Sequence, residues 1–116
     1  MSLPPTLAPF YSAVTGVIRD PTLHDMTLRQ LAIMMVVANK APGATFSIRE
    51  VHNILGMSKP AITRGCSLLE NKGLLTRKFQ PQDKRLVTLE LTKAGSAYLA
   101  RMAQETQYAM PPAKAA

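Results

Sequence analysis

A mainly α-helical chain with one small β-hairpin is predicted from three observations. Two capping boxes, "TLRQ" and "SIRE", each open a run whose apolar residues recur at helical spacing. A further run, "SKPAITRGCSLLENKG", starts on a Ser suited to an N-cap and closes on a Gly suited to a C-cap. Beyond it two strand-like stretches, "LLTRKF" and "LVTLEL", flank a Pro-led charged turn, which is the pattern of a hairpin.

Taken in order, Phe10, Tyr11, Val14, Val17 and Ile18 mark a first helix, which Asp20-Pro21 stops because the residue before Pro avoids the α region. The next helix starts with Thr27 as cap and Gln30 reaching back. Its body "LAIMMVVA" is apolar almost all round, so burial on most sides is expected, with an end at Pro42-Gly43. Ser47 and Glu50 then open a short helix with Ile48, Val51, Ile54 and Leu55 as its inward stripe. Gly56-Met57 makes a turn, and Ser58 caps a helix with Pro60 in its tolerant first turn. This helix points Ile62, Cys66 and Leu69 inward and stops at Asn71-Lys72-Gly73. Gly65 inside it costs about 1 kcal/mol relative to Ala, a cost that close packing on the preceding helix would offset. After the hairpin a last helix is expected from Thr92 to about Met110, with Ala94, Tyr98, Met102 and Ala109 on one face. The order divides into residues 1–26, a tail and first helix; 27–92, the central domain; and 93–116, the last helix and a tail. Both ends, "MSLPPTLAP" and "MPPAKAA", are Pro/Ala-rich and expected to fray.

A chain of 116 residues suits one domain, and 47% apolar residues is normal for a globular one. The formal charge of +7 is concentrated: residues 47–93 hold nine basic and four acidic side chains, which places +5 there. That concentration suits a polyanion such as nucleic acid or an anionic membrane surface; a basic surface that serves solubility is the alternative. Cys66 is the single cysteine, which excludes an internal disulfide and points to the cytosol. It falls on the inward face as a small core residue. His24 and His52 lack a second ligand at metal spacing, and His52 suits a phosphate contact or plain solvation. Met26, Met34, Met35 and Met102 read as core filler. No secretory signal is visible, and the longest apolar run, Leu31 to Ala38, is too short to span a bilayer. No nucleophile–base pair, paired carboxylates or phosphate-cradling Gly loop is present. A non-enzyme without metal or cofactor is therefore expected.

Two short helices joined by a tight Gly turn, the second capped by Ser58, have the layout of a helix-turn-helix. With the apolar residues inside, the second helix turns Lys59, Pro60, Thr63, Arg64 and Ser67 outward. Such a face fits a DNA major groove, where Arg donates two hydrogen bonds to guanine and Thr meets a thymine methyl. A solvated face with no partner is the alternative. Ser47 and Ser58, at helix N-termini, suit phosphate contacts. The hairpin carries Arg77 and Lys78 on its first strand and Lys84 and Arg85 at its tip, so it reads as a wing and the fold as a winged helix-turn-helix. Lys72, Arg77, Lys78 and Lys84 would meet phosphates and Arg85 the minor groove. Asp83 would accept a hydrogen bond from Arg85 or the turn backbone and hold the arginine extended; an exposed turn-stabilising ion pair is the alternative.

"LTLRQLAIMMVVA", "SIREVHNILGMSKPAITRGCSLLENKGLLTRK" and "DKRLVTLELTKAG" together resemble the multiple-antibiotic-resistance regulator (MarR) family of bacterial winged-helix transcription factors, over roughly residues 27–103. Asp83, Arg85, Leu91, Thr92 and Gly95 match that family's wing signature. The resemblance implies a cytoplasmic, nucleoid-associated homodimer on a pseudo-palindromic double-stranded DNA operator, usually acting as a repressor, and a small aromatic ligand as a further partner. Family members commonly run longer, with interlocking first and last helices, so dimerisation through residues 8–20 and 92–110 is the matching expectation. A winged-helix module that binds a protein partner, or modulates another regulator without DNA specificity of its own, is the competing reading.

Overall fold

The computed structural model describes residues 2–40, 46–79, 81–82 and 87–106. A short 3₁₀ turn, Pro5–Leu7, leads into α1 (Ala8–Arg19), followed by α2 (Leu28–Ala38), a two-residue strand β1 (Phe46–Ser47), α3 (Ile48–Leu55), α4 (Lys59–Asn71), β2 (Leu75–Phe79), β3 (Val87–Leu91) and α5 (Lys93–Glu105). This is the mainly α, hairpin-bearing winged helix-turn-helix that the sequence predicts. The chain divides into two units, one of Met26–Ser96 and one joining the N-terminal segment up to Asp25 to the chain from Ala97 onward.

In the central unit both capping boxes form. The Thr27 hydroxyl accepts the Gln30 amide at 3.1 Å, and the Gln30 side-chain Oε1 accepts the Thr27 amide at 3.2 Å. Ser47 and Glu50 repeat the exchange at the start of α3, at 3.3 Å in each direction. Each box satisfies two of the amides that a helix N-terminus leaves without a partner. The turn between α3 and α4 needs Gly56, whose φ of 70° is left-handed; its amide closes α3 on the His52 carbonyl at 2.8 Å. Ser58 then caps α4 by accepting the Ala61 amide at 3.2 Å. Gly73, with a φ of 75°, ends the α4 turn.

Ile33, Met34, Val37, Val51, Ile62, Leu69, Leu75 and Leu89 are all but sealed from solvent, at 1% exposure or less. Each such side chain contributes roughly 1.5–3 kcal/mol of hydrophobic free energy, so α2, α3, α4 and the sheet fold as one packed body. Three expectations about that core need correction. The second helix is not buried on most sides: Gln30, Ile33, Met34 and Val37 face inward, whereas Leu28 is 74% and Met35 44% exposed. Its neighbours α3, α4 and β3 cover one side of it. On α3 only Val51 is buried, and Ile54 faces solvent at 58%. Gly65 packs against α2 rather than α3, where a Cβ would lie 2.7 Å from the Ile33 Cδ1.

The sheet runs in the order β1-β3-β2, all antiparallel. Leu75 faces Leu91, Arg77 faces Leu89 and Phe79 faces Val87. The strand β1, which pairs Phe46 with Leu89 and Ser47 with Thr88, has no counterpart in the sequence reading. Two residues are too few to show an alternation. The start of α5 is tied to the end of α4 through Thr92. Its amide reaches the Leu74 carbonyl at 3.2 Å, and its hydroxyl donates to the Gly73 carbonyl at 2.6 Å and accepts the Gly95 amide at 3.0 Å.

In the terminal unit α1 buries a small-residue face, Ser12, Ala13, Gly16 and Val17, while Phe10 (48%), Tyr11 (40%) and Ile18 (70%) stay exposed. The aromatic and aliphatic residues that mark this helix in the sequence therefore lie mostly on its outer side. At Gly16 a Cβ would overlap the outer part of the Glu105 side chain, a flexible group that would have to swing aside. Arg101 bridges Glu105 and Asp20, the latter at 3.6 Å, and Asp20 also accepts the Thr22 amide and hydroxyl. Tyr98 and Met102 are buried as expected, with the Tyr98 hydroxyl donating to the His24 carbonyl at 2.9 Å, but Ala94 is exposed. Ala109, Met110, Pro42 and Gly43 lie outside the described residues. Among the described residues no helix is long and apolar enough to cross a membrane.

Candidate nucleic-acid interface

The outer face of α4 is set by its inner one. Ile62, Gly65, Cys66 and Leu69 are buried, which leaves Lys59, Pro60, Thr63 and Arg64 exposed and Ser67 half-buried. Residues 60, 63, 64 and 67 fall three and four apart and so share one strip of the helix. Ser58 is exposed at the N-cap, and the Ser67 hydroxyl donates to the Thr63 carbonyl at 3.1 Å. Lys59 and Arg64 enter no ion pair among the described residues. Two exposed cations beside a threonine can offer donors to an anionic or carbonyl-rich surface without first giving up an ion pair with any described residue.

The turn that carries this helix is closed by a residue with a different expected role. His52 is half-buried, and its Nδ1–H donates to the Met57 carbonyl at 2.6 Å, one residue beyond the Gly56 amide bound to its own carbonyl. Ring and backbone together pin the turn. Ser47 is likewise committed: it is 9% exposed, and its amide and hydroxyl both contact Glu50.

Three of the cations that the sequence suggests for phosphate are engaged by partners of the same chain. The half-buried Lys72 donates from Nζ to the Gln30 side-chain Oε1 at 3.1 Å. Arg77 is wrapped by Glu70: Nε reaches Oε1 at 2.8 Å, a terminal guanidinium nitrogen lies 2.7 Å from the same oxygen, and the Arg77 amide reaches Oε2 at 3.2 Å. Lys78, still 63% exposed, pairs with Glu90 at 3.0 Å. Hydrogen bonding and attraction from Lys78, with a smaller pull from Lys40, hold the Glu90 carboxyl below its ordinary range. The sequence reading missed Glu70 and Glu90 as partners, because seven- and twelve-residue separations across a turn match no periodic signal. It also left Arg49 unassigned, an exposed cation in the first turn of α3. Asp83, Lys84 and Arg85 lie outside the described residues.

Cys66 is fully buried, and burial pushes its thiol up to about 11, with Arg77 opposing and Glu70 adding to the rise. At pH 8 about one thiol in a thousand is then ionised, against roughly one in ten for a thiol titrating near 9. Native protein should therefore react with a disulfide reagent such as dithionitrobenzoate no faster than it opens, whereas protein in denaturant reacts at once; rapid labelling of the native state would show an accessible thiolate. The folded thiol holds its proton where the unfolded one has lost it, so this group stabilises the fold below about pH 9. That contribution is lost as pH rises through about 11.

Comparison with known proteins gives consistent results. The model of the MarR family matches residues 24–86. A cysteine-to-serine mutant of MarR from E. coli, crystallised with operator DNA, aligns with a TM-score of 0.62 at 28% identity, over 72% of this chain and 57% of that one. A transcriptional regulator from Thermotoga maritima aligns with a TM-score of 0.67 at 26% identity, over 84% of this chain and 66% of that one. FabT from Streptococcus pneumoniae, solved in complex with DNA, shares the fold at 23% identity and a TM-score of 0.64, over 82% of this chain and 64% of that one. The chain thus spans less than two thirds of the length of each. No curated protein matches it in sequence.

Proposed function

The chain belongs to the MarR family, and from that premise we propose that it is a sequence-specific double-stranded DNA-binding transcriptional regulator, acting as a homodimeric repressor on a pseudo-palindromic operator. The observation that carries the reading is the outward strip of α4: Lys59, Thr63 and Arg64 are exposed and, among the described residues, in no ion pair with an acid, on a helix whose other side is locked into the core. A rigid helix with free polar ends fits the major groove, with Arg64 reading guanine and Thr63 a thymine methyl. Pro60, Ser58 and Ser67 complete that surface. The hairpin tip, with Lys84, Arg85 and Asp83, takes the flanking minor groove. The operator complex of the E. coli relative supports DNA as the partner.

The outer face of α1 supports a dimer. Leu3, Leu7, Phe10, Tyr11, Val14 and Thr15 line an apolar cavity of about 260 Å³, and Ile18 extends the exposed apolar surface. That volume is small for a ligand site, where pockets run roughly 300–1,000 Å³, so an aromatic effector fits less well there than helices of a second copy. Two such protomers would place their recognition helices about 34 Å apart, one helical turn of DNA.

In-vitro selection from a random duplex library, with Arg64→Ala run in parallel, tests the reading. The wild type should enrich an inverted repeat. Arg64→Ala should lose roughly 1–3 kcal/mol on the selected site at one base step, and much less on random DNA. Equal losses on both would remove Arg64 from base reading. Enrichment of a single half-site would remove the symmetric dimer, and no enrichment at low salt would favour a protein-interaction module.

A further inference from the structure

We propose that Glu70 is a positioning residue for DNA recognition: through Arg77 it braces the hairpin against the recognition helix and sets where the wing falls relative to the side chains that read bases. The inference rests on the DNA-binding reading above and deepens it. Glu70 belongs to the last turn of α4, and Arg77 is the third residue of β2. The carboxylate grips both the guanidinium and the backbone of Arg77, at 2.8 Å and 3.2 Å. An ion pair between two side chains alone would let the strand slide beneath it. A bond to the strand's own amide fixes the strand.

The grip falls where support for the hairpin ends. Along the face of β2 shared by Leu75, Arg77 and Phe79, exposure rises from 1% at Leu75 to 67% at Phe79, with Arg77 half-buried between them. Leu75 is buried in the core, and Phe79 is mostly exposed. Arg77 therefore marks the pivot, opposite the fully buried Leu89 of β3. A strand advances about 3.3 Å per residue, so a small tilt at the pivot becomes a shift of several ångströms farther along. Base-reading geometry tolerates far less than that.

The test uses the full chain, its selected duplex and a random duplex of equal length, with Glu70→Ala, Arg77→Ala, their combination and Glu70→Gln. Each alanine variant should cut the ratio of specific to random affinity by roughly three- to tenfold, and the double variant should lose no more than either single one. The slope of affinity against salt should stay unchanged in Arg77→Ala and in the double variant, neither of which frees a cation, and Glu70→Gln, which keeps one acceptor oxygen, should recover part of the ratio. A merely structural pair would lower the folded fraction and weaken both duplexes alike; an unmoved ratio overturns the brace. A salt slope flattened by about 0.9 per protomer in Arg77→Ala would also overturn it, making Arg77 a phosphate ligand. A wild type that selects no site defeats the DNA reading itself, which separates that failure from failure of the brace alone.

Discussion

Gly95→Ala should destabilise the protein by about 3 kcal/mol, lowering the melting temperature by roughly 10–20 °C. The sign is the informative part. Gly95 lies within α5, and an alanine in an ordinary helix interior gains up to about 1 kcal/mol over glycine. Here a Cβ would sit well inside van der Waals contact of the Leu74 carbonyl oxygen and 3.1 Å from its carbonyl carbon. That carbonyl cannot retreat cheaply. It accepts the Thr92 amide at 3.2 Å, the Leu74 amide is held by Leu69 at 3.0 Å, and the adjacent Gly73 carbonyl takes the Thr92 hydroxyl at 2.6 Å. Moving α5 away breaks the same bonds from the other side. Urea titration at 25 °C measures the change; a loss below about 0.5 kcal/mol, or any gain, would show that the crossing relaxes freely. The exposed neighbour Ser96 provides the control, since Ser96→Ala touches none of these groups.

Gly95 also shows how far the sequence can be read. As part of a signature it was legible, together with Thr92, but its reason was not: a glycine selected by a carbonyl twenty-one residues earlier leaves no local trace. The capped helices were legible because caps and apolar periodicity act within one or two turns. Thr27, Gln30, Ser47, Glu50 and Ser58 occupy the capping positions assigned to them. Burial was less legible, because periodicity tells which residues could face a core and not how much core is available. Ile54 and Met35 had the right spacing and yet stay largely exposed. The charges were hardest. Lys72, Arg77 and Lys78 look alike in sequence to Lys59 and Arg64, and only the fold brings Gln30, Glu70 and Glu90 against the first three.

That difference sets the second large expected effect, the salt dependence of DNA binding. Residues 47–86 carry eight basic side chains: Arg49, Lys59, Arg64, Lys72, Arg77, Lys78, Lys84 and Arg85. Were all eight to displace counterions, the slope of log affinity against log salt would be about −7 per protomer and about −14 for two. Arg77 and Lys78 already carry carboxylate partners and bring little net charge to a phosphate, and Lys72 is tethered to α2 through Gln30. Five remain, for slopes of about −4.5 and −9, so raising salt from 50 to 200 mM should weaken a dimer about 10⁵-fold. Filter binding across that range on one selected duplex decides among the cases. A slope near −14 would mean the internal pairs open on DNA, and one near −4.5 that a single protomer binds. Glu90→Gln sharpens the decision by releasing an ammonium that is already largely exposed. The slope should steepen by about 0.9 per protomer, whereas Lys78→Ala should leave it unchanged; if Lys78→Ala flattens it instead, the lysine leaves Glu90 for phosphate when DNA binds.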